Sequence, residues 1–216
     1  SHAYMVSLQG VLEKYGGMVA LNTKVLSIEA GLKSSGQRSI VRTVDLDLSA
    51  QWVINCAGLS APVLSTDTPG GPTAYYAKGH YYSYSGAQPF SRLVYPTAEA
   101  GGLGVHVTLD LAGQVKFGPD VRWIDNADYS FDESHKQDFV AAIKAYFPNL
   151  DSERLHPSYT GIRPKITGPG EPAADFVLHS PVQHGVVGRI NLLGIESPGL
   201  TASLAIAEQV ELLVGG

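Results

Sequence analysis

His106 and Arg163 are the two side chains of this 216-residue sequence whose types point most directly to chemistry. A neutral imidazole can take a proton from a hydroxyl group near neutral pH, because the ordinary pKa of histidine is about 6.5. A guanidinium group can bind a carboxylate through two parallel hydrogen bonds. A base and an anchor for a carboxylate would together suit a reaction that removes a proton from a small acidic molecule.

The segment around His106 alternates between apolar and polar residues, which is typical of a β-strand. Val105, Val107 and Leu109 would share one face of this strand, and His106 and Thr108 the other. We therefore expect the imidazole at the wall of a cavity. The alternative is a histidine that is hydrogen-bonded within the sheet and has only a structural role.

Arg163 is flanked by Gly161, which permits close approach, and by Pro164, which removes a backbone donor and fixes the local chain. We expect its guanidinium to bind a carboxylate of a ligand. The alternative is a salt bridge to Glu196 or Asp175.

A second candidate ligand site lies in residues 194–203, which have the pattern of a strand end, a turn and a helix start. Ser197 and Thr201 can cap this helix, and Pro198 suits its first turn. Gly199 has no side chain to block approach, so backbone N–H groups and the positive end of the helix dipole would face an electron-rich ligand atom. The alternative is a helix that satisfies only its own caps.

Other chemistries lack their motifs in this sequence. It holds no phosphate loop of the Gly-x-x-x-x-Gly-Lys-Ser/Thr type, no His-Glu-x-x-His pair and no Gly-x-Ser-x-Gly elbow. Its 7 histidines are scattered without metal-ligand spacing, so we expect no metal site. The single cysteine, Cys56, lies in the apolar run 52–57 and is expected to be a buried structural thiol.

Composition narrows the class of protein. A hydrophobic fraction of 44% supports a substantial core, and a net charge of −5 without a basic block argues against binding of nucleic acid. No run of about 18 apolar residues is present, so we expect no transmembrane segment. These features predict a cytoplasmic protein and leave open a peripheral attachment to a membrane.

The predicted secondary structure that positions these residues differs between the first 66 residues and the rest of the chain. The pattern of the first 66 residues suits the second half of a dinucleotide-binding domain. It predicts a helix over 1–15, strands over 18–21, 24–29, 40–48 and 52–57, and a helix start at Ser60. A connection rich in Thr, Pro and Gly over 66–72 marks the change.

Beyond this connection, aromatic and β-branched residues alternate with period two, which predicts an antiparallel sheet. The candidate strands and helices are strands over 75–84, 92–95, 104–109 and 114–117, a helix over 132–147, strands over 158–166, 176–179 and 186–195, and a helix over 199–214. We predict a fold of the α/β (α+β) class with domains at 1–66, 67–165 and 166–216.

Four motifs occur in one order, and they are Val53-Ile54-Asn55-Cys56-Ala57-Gly58-Leu59-Ser60, Gly104-Val105-His106-Val107-Thr108, Gly161-Ile162-Arg163-Pro164-Lys165 and Ser197-Pro198-x-x-Thr201. In order and approximate spacing the chain resembles flavoprotein oxidoreductases of the D-amino-acid oxidase superfamily, and within it the L-2-hydroxyglutarate dehydrogenase-like proteins. The resemblance implies the C-terminal part of an FAD-binding dinucleotide fold with an antiparallel-sheet substrate domain. It also implies oxidation of a small 2-hydroxy acid by hydride transfer to flavin, with the electron acceptor undetermined.

The resemblance assigns roles to particular residues. His106 would be the base and Arg163 would lie beside flavin and substrate, while Lys78, Tyr82 and Tyr95 would line the substrate cavity. Contacts to FAD would come from Val25, Ala57, Gly58, Pro198, Gly199, Leu200 and Thr201. The 11 tyrosines of the chain also fit ordinary half-buried sheet packing, so the two cavity tyrosines have a structural alternative.

The Gly-x-Gly-x-x-Gly loop that holds the ADP part of FAD in this superfamily is missing from the sequence. We therefore expect the chain to be the C-terminal portion of a longer flavoprotein. Two alternatives stay open. One is an amine, amino-acid or glycerol-phosphate oxidoreductase of the same superfamily, and the other is a non-catalytic fragment that lacks FAD.

Overall fold

The computed structural model describes residues 1–30, 38–97 and 104–215. The chain divides into two compact units. The first unit consists of Ser1–Pro72 with Phe176–Gly216, and the second of Thr73–Asp175. The domain limits expected from the sequence stay a prediction. The residues Ser34-Ser35-Gly36 predict a turn, and they lie outside the described residues.

The described residues form helices and strands in the following order along the chain. The α-helices are α1 (His2–Lys14), α2 (Lys136–Lys144), α3 (Pro181–His184) and α4 (Gly199–Gly215). The strands are β1 (Val25–Glu29), β2 (Ser39–Thr43), β3 (Asp47–Ala50), β4 (Val53–Asn55), β5 (Tyr75–Tyr84), β6 (Val107–Leu109), β7 (Val115–Phe117), β8 (Arg122–Ile124), β9 (Leu155–Lys165), β10 (Val177–His179) and β11 (Arg189–Leu193). Short 3₁₀ helices lie at Gly58–Ser60, Val63–Ser65, Glu133–His135 and Ser152–Arg154.

A three-stranded antiparallel sheet of β1, β2 and β3 belongs to the first unit. The single strand predicted over 40–48 is wrong, because the chain turns after Thr43. The Thr43 hydroxyl donates to the carbonyl of Leu46 at 2.7 Å, which separates β2 from β3. The strand predicted over 18–21 is also wrong, since these residues are exposed and lie outside the described strands.

A second sheet of the first unit joins strands that are far apart in the sequence. Its order is β10-β11-β4, with β11 parallel to β4 and antiparallel to β10. Asn55 lies opposite Asn191, and its Nδ2 donates to Asn191 Oδ1 at 3.0 Å and to the carbonyl of Ala61 at 2.8 Å. Asn191 Nδ2 donates in turn to the hydroxyl of Thr68 at 3.1 Å. An unpaired buried amide costs about 1–3 kcal/mol, so these bonds favour this register over a slipped one.

Cys56 follows directly after β4, and the expectation that it is a buried thiol is wrong. The strand predicted over 52–57 spans only Val53–Asn55 and lies at the edge of its sheet, so Cys56 is exposed. The protein atoms around the thiol still raise its pKa by partial desolvation. A thiol with a raised pKa is a weak nucleophile at neutral pH, which agrees with the absence of a predicted role for Cys56.

The second unit is built on β5, and the strand predicted over 75–84 is confirmed. Strand β9 pairs with the whole length of β5 along one edge. Along the other edge, β8 pairs with the first half of β5 and β7 with the second half, and β6 then pairs with β7. The sheet is antiparallel as predicted, although β8 was not foreseen.

One face of this sheet carries the core of the second unit. The buried residues that form the core are Tyr82, Tyr84, Val105, Val107, Val115, Phe117, Phe139, Val140, Ile143, Leu150 and Leu155. The helix predicted over 132–147 is confirmed in its central part by α2, whose Phe139 and Ile143 are buried as expected. Within the described part of the chain, no helix is both long enough and apolar enough to cross a membrane.

Candidate functional site

The pleat of the second-unit sheet divides the residues of β5 between its two faces. Tyr82 and Tyr84 belong to the core, so the alternating residue Tyr81 lies on the opposite face. Across the β5–β9 pair, Tyr81 lies opposite Tyr159 and Ala77 lies opposite Arg163, which places these side chains on that same face. We call this surface the aromatic face, and the residues that define it are Tyr81, Tyr95, His106, Lys116, Tyr159 and Arg163.

His106 precedes β6 and lies on the aromatic face, with Val105 and Val107 directed into the core. Its Nδ1 lies 3.1 Å from the carbonyl oxygen of Gly104. The neutral ring therefore donates from Nδ1 and keeps Nε2 as its acceptor nitrogen. The ring also stacks on Tyr95, with 4.4 Å between centroids and 18° between planes. These contacts fix the orientation of a residue that is only 8% exposed.

The charge state of His106 follows from its surroundings. Burial lowers the pKa of the imidazole, and the positive charge of Arg163 lowers that pKa further, against the opposing effect of the hydrogen bond to Gly104. The imidazole is therefore neutral at pH 7. A neutral imidazole is the form that accepts a proton from a substrate.

Arg163 lies half-buried on the aromatic face, opposite Ala77 of β5. A Cβ atom added to Gly161, which has the same pleat phase, would meet no heavy atom within 4 Å. This space agrees with the expectation that Gly161 permits close approach. The space is local to Gly161, because a Cβ atom added to Gly79, opposite it on β5, would lie 2.6 Å from Pro119 Cβ.

Tyr81 and Tyr159 were not selected from the sequence, yet they form the centre of the aromatic face. Their rings stack with 4.4 Å between centroids and 15° between planes. Burial raises the pKa of both hydroxyls, so both stay protonated at neutral pH and can donate hydrogen bonds. Tyr159 precedes Arg163 by four residues in one strand, and the period of two could have identified it.

The predicted substrate cavity requires Lys78 and Tyr82 to lie near His106, but the structure places both on the opposite face of the sheet. Both side chains have the pleat phase of the core residue Tyr84. Tyr82 is 1% exposed, and Lys78 is 4% exposed with its ammonium 3.4 Å from Asp128 Oδ2. Their positions argue against a contact with substrate. Tyr95, by contrast, lies on the aromatic face in contact with His106.

His80 is a second histidine of the sheet and a rival candidate for the base. Its Nδ1 lies 3.0 Å from Asp120 Oδ1, and its ring packs edge-on against Phe131 at 5.1 Å. It shares the pleat phase of Tyr82 and is buried on the core face. His80 therefore has a structural position. Of the two histidines that the described residues place on the aromatic face, His156 lies opposite Ser83 and is exposed, whereas His106 is buried.

The residues predicted to bind FAD lie in the first unit. Ala57 and Gly58 follow β4, and residues 197–201 follow β11, so the parallel pairing puts both segments at one edge of the sheet. Gly58 has a φ of +56°, and a Cβ atom there would meet no heavy atom within 4 Å. Val25 lies in the other sheet, at the start of the edge strand β1. The structure thus leaves open space at Gly58 beside the turn before α4.

The turn before α4 borders a pocket of about 400 Å³ that is lined by residues 195–201. The expectation that Thr201 caps the helix is wrong, because its hydroxyl donates to the carbonyl of Pro198 at 2.8 Å. The N–H group of Gly199 donates to the carbonyl of Glu196, so a ligand in the pocket would accept from the N–H groups of Leu200 and Thr201. A ligand atom with negative charge in the pocket would be stabilised by these groups and by the helix dipole.

Gly199 is required by packing rather than by ligand approach, since an added Cβ would lie 2.5 Å from Ile195 Cγ2. We expect Gly199→Ala to lower the free energy of unfolding by about 1–3 kcal/mol, the usual cost of overpacking. The matched control is Gly10→Ala in α1, where a Cβ meets no heavy atom within 4 Å. It should raise the free energy of unfolding by about 0.5–1 kcal/mol. Urea unfolding measures both, and equal stability of the two variants would contradict this account.

Residues 1–211 match the protein family described as FAD dependent oxidoreductase. The mitochondrial L-2-hydroxyglutarate dehydrogenase of Arabidopsis thaliana is 47% identical over 182 residues, which are 76% of this chain and 38% of that protein. A glycerol 3-phosphate dehydrogenase of Caloramator mitchellensis is 26% identical over 196 residues, which are 89% of this chain and 38% of that protein. The chain thus spans 38% of the length of each of these relatives.

Two solved structures are similar over nearly the whole chain. The FAD-bound L-alpha-glycerophosphate oxidase of Mycoplasma pneumoniae has a TM-score of 0.78 at 21% identity, over 94% of this chain and 53% of its own. The glycine oxidase of Geobacillus kaustophilus has a TM-score of 0.70 at 18% identity, over 93% of this chain and 50% of its own. These similarities confirm the predicted fold class of mixed helices and antiparallel sheets.

Proposed function

The chain belongs to the family of FAD-dependent oxidoreductases, and from this membership we propose that it serves the oxidation of a small 2-hydroxy acid of the L-2-hydroxyglutarate type. The observation that carries the proposal is that Arg163 and His106, whose pKa is lowered by burial, lie on one face of the same sheet. A base beside a cation suits a substrate whose hydroxyl is next to a carboxylate. The 47% identical relative, named for L-2-hydroxyglutarate, supports the same substrate class.

In this proposal four residues of the aromatic face have defined tasks. Arg163 binds the carboxylate next to the carbon that bears the hydroxyl. His106 Nε2 accepts the hydroxyl proton while a hydride leaves this carbon, and the product is a 2-oxo acid. The stacked Tyr81 and Tyr159 supply protonated hydroxyls and cover apolar parts of the substrate. FAD, when bound, supplies the acceptor for the hydride.

The first unit offers features that FAD binding would use. The open space at Gly58 and the pocket before α4 give room, and the N–H groups of the first helical turn would face negative charge. Gly199 would contribute through its backbone, since its missing side chain is explained by Ile195. We assign the contacts to Val25, Ala57, Gly58, Pro198, Gly199, Leu200 and Thr201.

The test is anaerobic reduction of the FAD-loaded protein with a panel of reductants, followed by the loss of flavin absorbance. We expect L-2-hydroxyglutarate to reduce the flavin at least about tenfold faster than D-2-hydroxyglutarate, glycine or glycerol 3-phosphate, because only it presents hydroxyl, hydrogen and carboxylate in the required arrangement. Reduction by another member of the panel, without reduction by L-2-hydroxyglutarate, would refute the proposal.

Oxidation of glycerol 3-phosphate is the second candidate. It is favoured by the 26% identical relative that is named for this substrate. Arg163 and Lys116 could bind a phosphate in place of a carboxylate. The same panel separates the two candidates, since it contains both substrates.

A further inference from the structure

Lys116, in the middle of β7, brings a second cation to the aromatic face. It lies opposite Ser83 of β5 and opposite Thr108 of β6. Its side chain extends across the sheet, because its ammonium lies 5.2 Å from the centroid of the Tyr159 ring on the far side of β5. The half-buried lysine therefore points along the surface of the sheet and not away from it.

The cationic side chains on the two faces of the sheet have different kinds of partner. On the core face, Lys78 pairs with Asp128, and Arg122 pairs with Asp120 and Asp138. Within residues 1–30, 38–97 and 104–215, the recorded partner of the Lys116 ammonium is an aromatic ring and not a carboxylate. A contact with a ring is weaker than a hydrogen bond from an ammonium to a carboxylate. Lys116 can therefore exchange this contact for an anionic group of a ligand.

The position of His106 relates Lys116 to the reacting atoms. His106 precedes Thr108, the partner of Lys116, by two residues. Diagonal neighbours of this kind lie about 7–8 Å apart, which long side chains can span. Arg163 is electrostatically coupled to the same imidazole. A substrate whose hydroxyl lies at His106 could thus reach Arg163 with one end and Lys116 with the other.

We propose that Lys116 binds the distal carboxylate of a 2-hydroxy dicarboxylate and so determines the preference for dicarboxylates over monocarboxylates. This inference rests on the proposed function, in which Arg163 holds the carboxylate beside the hydroxyl. The imidazole between them is neutral, so the two cations match the two negative charges of such a substrate. Because the distal carboxylate takes no part in bond breaking, Lys116 contributes to substrate binding and little to the chemical step.

The test compares Lys116→Met, which keeps the length of the side chain, with the wild type in the FAD-loaded protein. For L-2-hydroxyglutarate we expect KM to rise about tenfold, the loss of one charge-assisted hydrogen bond, with little change in kcat. For L-2-hydroxyvalerate, which has five carbons and a single carboxylate, kcat/KM should stay within about twofold. Lys116→Arg should keep most of the preference, and Lys144→Met, an exposed change on α2, should change neither substrate.

The outcomes separate the inference from the function on which it rests. Unchanged KM for L-2-hydroxyglutarate in Lys116→Met would overturn the inference and leave the proposed function intact. Equal losses for both acids would also overturn it, because a packing defect makes no distinction between them. A wild-type protein whose flavin is reduced by glycerol 3-phosphate and not by L-2-hydroxyglutarate would overturn the proposed function, and the inference with it.

Discussion

Replacement of His106 by asparagine should reduce the rate of flavin reduction by L-2-hydroxyglutarate about 10²-fold or more, the range for loss of a general base. Asparagine has a side-chain amide that can still donate to the carbonyl of Gly104, but it offers no nitrogen that takes a proton. Substrate binding should suffer less, because Arg163 and the tyrosines are unchanged. Stopped-flow reduction under anaerobic conditions measures the rate, and reduction at wild-type speed would show that His106 is only structural.

The pH dependence gives a second readout of the same prediction. The pKa of His106 is lowered, so the imidazole stays neutral to lower pH than an ordinary histidine, whose pKa is about 6.5. The rate of flavin reduction should therefore stay constant as pH falls to about 6.5 and decrease only at lower pH, where the imidazole of His106 becomes protonated. In His106→Asn this decline should be absent. The control is His135→Asn, which changes an exposed histidine before α2 and should leave both rate and profile unchanged.

Arg163→Lys should lower kcat/KM for L-2-hydroxyglutarate roughly 10- to 150-fold, which corresponds to about 1.5–3 kcal/mol for a hydrogen bond to a charged group. Lysine keeps the positive charge and loses the planar pair of donors that fits a carboxylate. Since Arg163 is assigned to the carboxylate beside the hydroxyl, a monocarboxylate such as L-lactate should lose activity by a similar factor.

The control for this prediction is Arg122→Lys on the core face, where the arginine pairs with Asp120 and Asp138. This variant makes the same chemical change away from the aromatic face, so kcat/KM should stay near the wild-type value. Small losses for both acids in Arg163→Lys, of the size seen in the control, would remove Arg163 from the substrate site. It would then be a packing residue or a neighbour of the flavin.

Local pattern predicts the position of β5 and α4 from the sequence, because the alternation and the helix-start residues lie within a few positions of one another. Local pattern does not predict which face of the sheet each tyrosine of β5 occupies. Tyr81 and Tyr82 are chemically identical neighbours, and only the docking of α2 decides that Tyr82 enters the core. The sequence of a single strand holds no such signal, so it cannot distinguish Tyr81 from Tyr82 as a candidate for the substrate cavity.

Two further differences between the sequence-based predictions and the structure are caused by polar interactions, one long-range and one local. Lys78 is buried because Asp128, far along the chain, compensates its charge. The break between β2 and β3 depends on the hydroxyl of Thr43, in a segment without the glycine or proline that usually marks a turn. The grouping of His106 with Arg163 followed from a resemblance in motif order, whereas the register of β5 with its neighbours brings their strands into one sheet.

The division of β5 between two faces has a consequence for how such proteins diverge. Substitutions at Tyr82 or Tyr84 would disturb the core and are selected against through stability. Substitutions at Tyr81, or at Tyr159 and Lys116 on the neighbouring strands, lie outside this core and should affect folding less, and under the proposed function they would alter contacts to substrate. A lineage can therefore exchange one substrate for another by changing the aromatic face while it inherits the opposite face unaltered. The two relatives, one named for L-2-hydroxyglutarate and one for glycerol 3-phosphate, agree with such divergence.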